Sequence, residues 1–367
     1  MDIGAQYRPL RAEIDAAIAG VLDSGRFILG PHVAALEAEI SERLDGRPCV
    51  GVANGTDALV IALNALDVGP GDEVITTPYT FYATAEAIAR LGATPVFCDI
   101  DPDDFCIDPD LIEARISART RAILPVHIFG HAADMAAIRA IADRHGLPVI
   151  EDAAQAFGGA VEGAPIGALG DIATISFFPT KNLPGIGDGG MVVCRDQAVA
   201  DRVRRLRFHG SADKVVFQEV GYNSRLDELQ AAVIRIFLRH VDDWNDGRRA
   251  TAEAYASAGL GEFVRLPAER AGVRHIYHLY MARHDDRDAL SKGIGARGVS
   301  SAVYYGIPMH LQPVFADLGY RPGDLPVAEA CAARALALPM HPHMTGDQVA
   351  QVVDAVAEVV GQVPARG

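Results

Sequence analysis

The sequence has little positive charge for its size. Lys and Arg together number 33 against 48 Asp and Glu, so the formal net charge at pH 7 is −15. A nucleic-acid-binding protein presents a basic surface to the phosphate backbone, and this balance argues against that class. An anionic small molecule is still compatible with it, because a few local Arg and Lys side chains are enough to hold a phosphate.

Long hydrophobic runs are also missing. No apolar stretch approaches the roughly 20 residues that a membrane-spanning helix needs. The N-terminal residues, MDIGAQYRPLRAEID, contain no apolar core of the kind that a signal peptide has. We therefore expect neither a membrane span nor a secretory signal.

Cysteines are few, odd in number and without the spacing of metal ligands: Cys49, Cys98, Cys106, Cys194 and Cys331. Cys98 and Cys194 lie in strand-like apolar runs and are most simply explained as buried thiols of a reducing compartment. The sequence therefore predicts a cytoplasmic protein without a metal site.

Common nucleotide-binding motifs are absent as well. No G-x-G-x-x-G opens the first strand–helix unit, which makes a plain dinucleotide-binding domain a weak candidate. The turn at Gly55 lacks the G-K-[S/T] of a P-loop. No internal repeat, low-complexity segment or fused helix-turn-helix segment is recognisable.

Strand-like and helix-like segments alternate through most of the chain. Short apolar runs are followed by amphipathic segments such as MAAIRAIADRHG. This alternation predicts an α/β fold with a mainly parallel sheet and helices on both faces. A helix is also expected over residues 109–117, a strand over 122–128, a long helical run over 226–258 and a strand over 300–304.

A domain boundary is predicted near residue 240. The chain beyond the long helical run passes into the breaker-rich segment LGEFVRLPAER and then into shorter strand and helix patterns. We predict a large α/β domain of residues 1–240, including the N-terminal helices, and a smaller C-terminal α+β domain of residues 241–367.

An acid and a lysine follow two apolar runs in the middle of the chain. The run that ends at Ile150 is followed by Asp152, and the run 172–178 is followed by Lys181 and a glycine-rich turn. Because ligands bind beyond the carboxyl ends of parallel strands, both side chains could face one crevice. Pyridoxal phosphate (PLP) needs this pair, a lysine for its Schiff base and an acid against its pyridinium nitrogen. On position alone, Asp152 could equally cap a helix and Lys181 could be a solvated loop residue.

The sequence around these residues resembles that of a known family. EDAAQAFGG, SFFPTKNL and GDGG are similar to the nucleotide-sugar aminotransferases, PLP enzymes of fold type I, and the resemblance extends over nearly the whole chain. It implies a seven-stranded, mainly parallel sheet and PLP as the cofactor, with pyridoxamine phosphate as its aminated form. Sugar dehydratases of the same superfamily have His where Lys181 stands, so the lysine favours amino transfer.

The resemblance implies a cofactor site residue by residue. Lys181 would bind the cofactor and then act as the base, while Asp152 would keep the pyridine nitrogen protonated. The remaining positions are Gly55, Thr56 and Ser176 at the phosphate, Phe81 over the ring, Gln155 at the phenolic side and Asn223 from a neighbouring subunit. From the residues alone, Thr56 or Asn223 could simply cap a helix and Phe81 could belong to the core.

Two further motifs imply substrate contacts. GYNSRLDELQA is similar to the element whose Asn crosses a dimer interface in the family, which predicts a homodimer and makes Arg225 a candidate for binding an anionic part of the substrate. SSAVYYGIPMHLQPVF is similar to the segment that closes over the sugar nucleotide, with His310 and Gln312 as candidates. A Pro-rich loop that packs on the large domain would explain these two residues equally well.

The predicted activity is amino transfer from glutamate to a nucleotide-linked keto-sugar. GDGG and NSRLDELQAA resemble members that aminate C3, and the nucleotide, UDP or dTDP, stays open. Two alternatives remain, a cyclitol aminotransferase and a non-catalytic, PLP-binding regulator. The intact set of Asp152, Gln155, Ser176 and Lys181 argues against the regulator, because a regulator need not retain the base.

Overall fold

The structure, a computed structural model, describes residues 4–362. Its strands are β1 Cys49–Val52, β2 Glu73–Thr76, β3 Thr94–Phe97, β4 Thr120–Leu124, β5 Ile150–Asp152, β6 Ala160–Val161, β7 Ala164–Pro165, β8 Ile172–Ser176, β9 Gly190–Cys194, β10 Val273–Arg274, β11 Tyr280–Arg283 and β12 Ala335–Leu338. Its helices are α1 Gly4–Tyr7, α2 Arg11–Ser24, α3 Pro31–Arg43, α4 Gly55–Ala65, α5 Tyr82–Arg90, α6 Met135–His145, α7 Gln197–Leu206, α8 Glu228–Leu238, α9 Val241–Ser257, α10 Arg287–Gly295, α11 Pro326–Arg334 and α12 Gly346–Gln362.

Seven strands form one continuous sheet in the order β3-β2-β4-β5-β8-β9-β1. Two groups of strands, β3-β2-β4 and β1-β9-β8-β5, are joined by isolated parallel bridges from Ile123 to Val149 and from Val126 to Asp152. Only β9 runs antiparallel to its neighbours in this sheet. The predicted mainly parallel, seven-stranded sheet is confirmed.

Helices cover both faces of this sheet, as the alternation along β8 shows. Ile172 belongs to a core that includes residues of α4, α5, α6 and α7. Ala173 and Ile175 belong to a second core formed with α2, α3 and α8. Neighbouring residues of a strand point to opposite faces, so the two cores lie on opposite sides of the sheet.

The C-terminal part of the chain has a core of its own. The antiparallel pair β11–β12 packs with α10, α12 and the C-terminal half of α9. The boundary near residue 240 remains a prediction. It is supported by α9, which places Val241 and Trp244 in the core of the large sheet and Tyr255 in the C-terminal core.

Four predicted elements differ in the structure. Residues 109–117 form two short 3-10 turns, Pro109–Leu111 and Glu113–Arg115, because the Asp108 carboxylate caps the first turn and Ile116 is extended. The strand over 122–128 ends at Leu124, before Pro125, whose nitrogen has no hydrogen to donate.

The other two differences lie further along the chain. The helical run over 226–258 is divided between α8 and α9, where the N–H of His240 bonds the carbonyl of Phe237 and interrupts the i→i−4 pattern. The strand over 300–304 is reduced to one bridge between Ala302 and Ala337, because the chain then turns towards Tyr79, whose hydroxyl bonds the carbonyl of Tyr304. No helix among residues 4–362 is long and apolar enough to span a lipid bilayer.

Candidate active site

A cavity of about 520 Å³ lies beyond the carboxyl ends of β5 and β8. Six of the eight predicted cofactor residues line it: Gly55, Thr56, Phe81, Asp152, Ser176 and Lys181. This is the edge of a parallel sheet at which ligands are expected. The structure therefore brings the acid, the lysine and the predicted phosphate turn into one site.

The predicted phosphate end of the cavity is the N-terminus of α4. The side chain of Asn54 accepts the N–H of Asp57 at 2.8 Å, so Asn54 caps the helix, while Gly55 packs on Ser176. A Cβ on Gly55 would lie 2.8 Å from the Cβ of Ser176, a distance that excludes any larger residue without movement. The first N–H groups of the helix have no intrahelical acceptor, and together with the helix dipole they suit a phosphate.

Asp152 is a buried carboxyl group that faces the cavity. Its Oδ2 accepts the Thr84 hydroxyl at 2.8 Å, and its Oδ1 accepts the N–H of Ala154 at 3.2 Å. Burial raises the pKa of Asp152, and the hydrogen bond from Thr84 and the charge of Lys181 partly offset this shift. A cationic ring nitrogen would compensate the same buried charge, so the acid fits PLP.

Lys181 lies in the turn that follows β8. Its N–H donates to the carbonyl of Phe178 at 2.8 Å, which closes the turn and places the side chain on the cavity wall. Burial lowers the pKa of Lys181 to about 8, and the carboxylate of Asp152 opposes that shift. The amine therefore loses its proton far more readily than an ordinary lysine, as a nucleophile and base must.

Glu151, the neighbour of Asp152, has a structural role. It is fully buried, and its carboxylate accepts the N–H groups of Gly167, Leu169 and Gly170. His127 contacts it through Nε2 at 3.0 Å and accepts the N–H of Ala133 with Nδ1, so Nε2 is the donor. Both ring nitrogens of His127 are thus engaged within the fold.

Gln155 lies behind the cavity wall. Its Oε1 accepts the N–H of Phe129 at 2.9 Å, and its Nε2 donates to the hydroxyl of Tyr305 at 2.9 Å. The ring of Tyr305 lines the cavity and stacks on that of Phe129. In the structure, Gln155 therefore contacts a residue of the cavity wall, Tyr305, and does not line the cavity itself.

Asn223 and Arg225 do not line the cavity of their own chain. Asn223 is exposed and Arg225 is partly exposed. Ser224 between them donates its N–H to Arg207 and accepts the N–H of Ala53, which precedes the cap of α4. The segment is therefore fixed beside the phosphate end while Asn223 faces outwards.

His310 and Gln312 are also outside the cavity. His310 is buried and contacts Glu329 through Nε2 at 3.0 Å, and the amide of Gln312 donates to the carbonyl of Ile307. The cavity wall is instead formed by Tyr304 and Tyr305 of the same motif. Sequence reasoning found the correct segment, but neither tyrosine was selected, although two adjacent aromatic residues in a loop were an available signal.

His278 is a further cavity residue that sequence reasoning missed. Its Nδ1 contacts Oδ1 of Asn182 at 3.0 Å, and the amide nitrogen of Asn182 donates to Asn245, so His278 Nδ1 is the donor. Burial and the charges of Lys181 and Arg248 lower the pKa of His278 well below its ordinary value. A neutral imidazole therefore lies next to the lysine.

All five cysteines are buried and free, as predicted for Cys98 and Cys194. Burial raises the pKa of both thiols to about 12. His131 and Asp104 lie near Cys106, but His131 Nε2 accepts the N–H of Arg270 and Asp104 pairs with the Arg270 side chain. These groups are engaged with one another and with Arg270.

The sheet, the lysine–acid pair and the phosphate turn together define a PLP-dependent enzyme of fold type I. Comparison with known sequences narrows this class. The profile of the DegT/DnrJ/EryC1/StrS aminotransferase family matches residues 9–357. The chain belongs to this family.

Three relatives cover nearly the whole chain. A dTDP-3-amino-3,4,6-trideoxy-alpha-D-glucose transaminase of Streptomyces venezuelae is 47% identical, over 98% of this chain and 95% of its own. A UDP-N-acetyl-3-dehydro-alpha-D-glucosamine 3-aminotransferase of Acidithiobacillus ferrooxidans is 46% identical, over 97% and 96%. A protein of Geobacillus stearothermophilus named a pleiotropic regulatory protein is 49% identical, over 98% and 97%.

Solved structures agree with this assignment. The crystal structure of S. venezuelae DesV in complex with a ketimine intermediate superposes with a TM-score of 0.95 at 46% identity, covering 99% of this chain and 98% of that one. The predicted family, fold class, enzyme class and PLP dependence are confirmed.

Proposed function

We propose that this protein transfers an amino group from glutamate to C3 of a nucleotide-linked keto-sugar in amino-sugar biosynthesis. The proposal rests on one observation, that Lys181 and Asp152 share a cavity with the N-terminus of α4. The two relatives named as 3-amino-sugar transaminases support the sugar and the position of the amine. Because one is named for a dTDP-linked and the other for a UDP-linked sugar, both nucleotides are substrates to test.

The side chains divide the work of amino transfer among them. When bound, PLP supplies a carbon that exchanges amines and a ring that withdraws electrons from the substrate's C–H bond. Lys181 would hold the cofactor and, as a free amine, move a proton between its Nζ and the substrate carbon. Asp152 would hold the proton on the ring nitrogen. The N–H groups of Gly55 and Thr56 and the hydroxyl of Ser176 would hold the phosphate.

The candidates for contact with the substrate are aromatic and basic side chains. Tyr304 and Tyr305 line the cavity opposite the cofactor residues, and Phe81 presents an exposed ring to it. Arg225 remains the candidate for the anionic part of the sugar nucleotide. His310 and Gln312, if they act on the substrate, would do so by holding the segment that contains the two tyrosines.

A homodimer would complete the site. Asn223 faces outwards beside the phosphate turn, where it suits the neighbouring subunit better than its own. Several nearby apolar side chains are exposed: Phe27, Ile28, Val215, Val216, Phe217 and Val220. Val220 is 92% exposed, and a group of such residues is typical of a surface that another chain covers. The buried thiols further support a cytoplasmic location.

The name of the Geobacillus relative favours a second candidate, a PLP-binding regulator. Such a protein would need the cofactor pocket but not a base, whereas this chain keeps Lys181 with a lowered pKa. A cyclitol aminotransferase, which would act on a substrate without a nucleotide, is the third candidate.

Absorbance spectroscopy of the purified protein tests these candidates. Wild-type protein with PLP is expected to show the band of lysine-bound cofactor, and glutamate alone should convert it to the pyridoxamine phosphate band. Lys181→Ala should abolish both changes, while Lys292→Ala, at an exposed lysine of α10, is the matched control.

The aminated enzyme is then mixed with dTDP- or UDP-linked 3-keto-sugars or with a keto-inositol. Return of the lysine-bound band with a nucleotide sugar supports the proposal, and return with the keto-inositol alone supports the cyclitol enzyme. Cofactor binding without any response to amino donors would support the regulator.

A further inference from the structure

Two threonines connect the start of α5 to the buried acid. The hydroxyl oxygens of Thr80 and Thr84 are 2.9 Å apart, and Thr84 Oγ1 is 2.8 Å from Asp152 Oδ2. Both threonines are 1% exposed and Asp152 is 5% exposed, so no water competes at either hydrogen bond. The three groups therefore form a short hydrogen-bonded chain that ends at the cavity.

The direction of the hydrogens in this chain follows from the chemistry of its end. An ionised carboxylate can only accept, so the single hydrogen of Thr84 is directed at Asp152. Thr84 then has only its lone pairs left, and Thr80 must donate to it. In a buried chain, each donated hydrogen bond polarises the next one and strengthens the bond to the carboxylate.

We propose that Thr84 is a positioning residue of the aminotransferase, and that Thr80 and Thr84 form a hydroxyl relay that holds Asp152 ionised and oriented towards the cofactor's ring nitrogen. This inference rests on the proposed function, since that function gives Asp152 its partner. In this relay, Thr80 and Thr84 do not line the cavity and act on the cofactor only through Asp152.

Burial is the reason why such a relay is needed. Burial raises the pKa of Asp152, and the hydrogen bond from Thr84 is the first of the contributions that oppose the shift. The other protein hydrogen bond to the carboxylate, from the N–H of Ala154, is longer at 3.2 Å. Without Thr84, the acid would be protonated at higher pH and its Oδ2 would have no protein donor.

The relay also places two parts of the site on one short segment. Phe81, whose ring lines the cavity, lies between Thr80 and Tyr82, the first residue of α5. The segment that presents this ring thus also carries Thr84, which bonds Asp152, and Thr80, which bonds Thr84. Movement of the segment would disturb the ring and the acid together.

Valine substitutions test the relay, because valine has the shape of threonine without its hydroxyl. The first readout is the dissociation constant of PLP from apo-protein, and the second is the pH midpoint of the acid limb of kcat/KM. Thr84→Val is expected to weaken PLP binding about ten-fold, the effect of losing a hydrogen bond to a charged group. It should also move the acid limb to higher pH, because Asp152 then retains its proton longer.

The matched variants separate a relay from a merely structural hydroxyl. Thr84→Ser retains the donor and should restore most of the PLP affinity. Thr80→Val should weaken PLP binding by a smaller factor, about three-fold, because only the polarising bond is lost. Since Thr80 acts only through Thr84, the double variant should match Thr84→Val, and Thr84→Val should add nothing in an Asp152→Asn background.

Several results would overturn the relay. One is a Thr84→Val protein that melts at a lower temperature but binds PLP as tightly as wild type with the same acid limb. Another is a Thr80→Val effect that persists undiminished in the Thr84→Val background. If Thr84→Val does not fold, Thr80→Val is compared with wild type, with Thr84→Ser as the control that keeps both hydroxyl groups, and a Thr80→Val protein with wild-type PLP affinity overturns the relay. Wild-type protein that fails to bind PLP would overturn the proposed function itself, and the relay with it.

Discussion

The two walls of the cavity differ in how their side chains are held. The proposed cofactor wall consists of the ends of β5 and β8 and the N-terminus of α4. The two strands belong to the hydrogen-bonded sheet, and α4 packs on that sheet. The proposed substrate wall is formed by Tyr304 and Tyr305 of the irregular segment 300–312, which the N-terminal part of the chain holds by scattered bonds. These are Tyr79 Oη to the carbonyl of Tyr304, the N–H of Met309 to the carbonyl of Pro78, and Gln155 Nε2 to Tyr305 Oη.

This difference shows where variation between relatives can be accommodated. Residues at strand ends cannot move without disturbing the sheet, so the acid and lysine that we propose perform the chemistry keep their geometry. An irregular segment can change length or side chains while its few anchors persist, so it suits the selection of one sugar over another. Substitutions at the two walls test this division of roles.

The largest effect is expected at the cofactor wall. Lys181→Ala removes the base and should lower the rate of amino transfer roughly 10³-fold, within the usual range for general acid–base catalysis. The measurement is the single-turnover rate from glutamate with PLP supplied in excess, with Lys292→Ala as the control. A Lys181→Ala rate within ten-fold of wild type would assign the base to another group.

Two neighbouring acids of β5, Glu151 and Asp152, should respond differently to loss of their charge. Glu151→Gln should lower the free energy of unfolding of the apo-protein by about 3 kcal/mol, because an amide NH₂ replaces an acceptor of buried N–H groups. Asp152→Asn should change it by less than about 1 kcal/mol while it impairs PLP binding, because burial already disfavours the charge of Asp152. Urea denaturation and PLP titration measure both quantities, and the reverse ranking would contradict these roles.

The lowered pKa of Lys181 predicts a pH dependence. The rate at which apo-protein attaches PLP should rise with pH to a midpoint near 8, where half of the amines are neutral. Stability should follow the same linkage. The folded pKa is below that of the unfolded chain, so the unfolded state binds more protons between about pH 8 and the ordinary lysine value, and stability rises with pH there.

A Lys181→Met variant provides the reference for this linkage. The difference in unfolding free energy between wild type and the variant should be constant below pH 8 and should shift in favour of wild type above it. An attachment midpoint near the value of an exposed lysine would show that burial does not act on this amine.

The smallest effects are expected at the substrate wall. Tyr305→Phe removes the acceptor of the Gln155 amide and a polar group of the cavity, and should lower kcat/KM for the keto-sugar about five-fold. Gln312→Ala, outside the cavity, should change it by less than about two-fold. Steady-state kinetics with saturating glutamate measures both values of kcat/KM. A larger effect at Gln312 than at Tyr305 would support the predicted contact between Gln312 and the substrate.

Much of the fold was predictable from the sequence because buried parallel strands appear as continuous apolar runs. The run that ends at Ile150 and the run that begins at Ile172 gave β5 and β8 in nearly their observed positions. The errors fall where local contacts decide between similar conformations. The turns at 109–115 and the break at His240 each depend on one or two hydrogen bonds that a periodic pattern does not reveal.

The site was predictable to a similar extent. Six of the predicted cofactor residues line the cavity, while His310 and Gln312 do not. The resemblance identified the segment around them, but Tyr305 has a positive φ of 23°, which turns its ring towards Gln155. Neither composition nor periodicity predicts such a backbone conformation in an irregular segment.

Sequence by itself determined that an acid and a lysine follow neighbouring parallel strands and that a glycine opens the helix beside them. Their meeting at one edge then follows from the direction of the strands. Only the tertiary structure decided that Thr84 holds Asp152 and that Tyr305 faces the cavity. The hydrogen bonds from Thr84 to Asp152 and from Gln155 to Tyr305 join residues that are 68 and 150 positions apart in the sequence. Packing between elements, rather than any local pattern, brings such distant side chains within hydrogen-bonding distance.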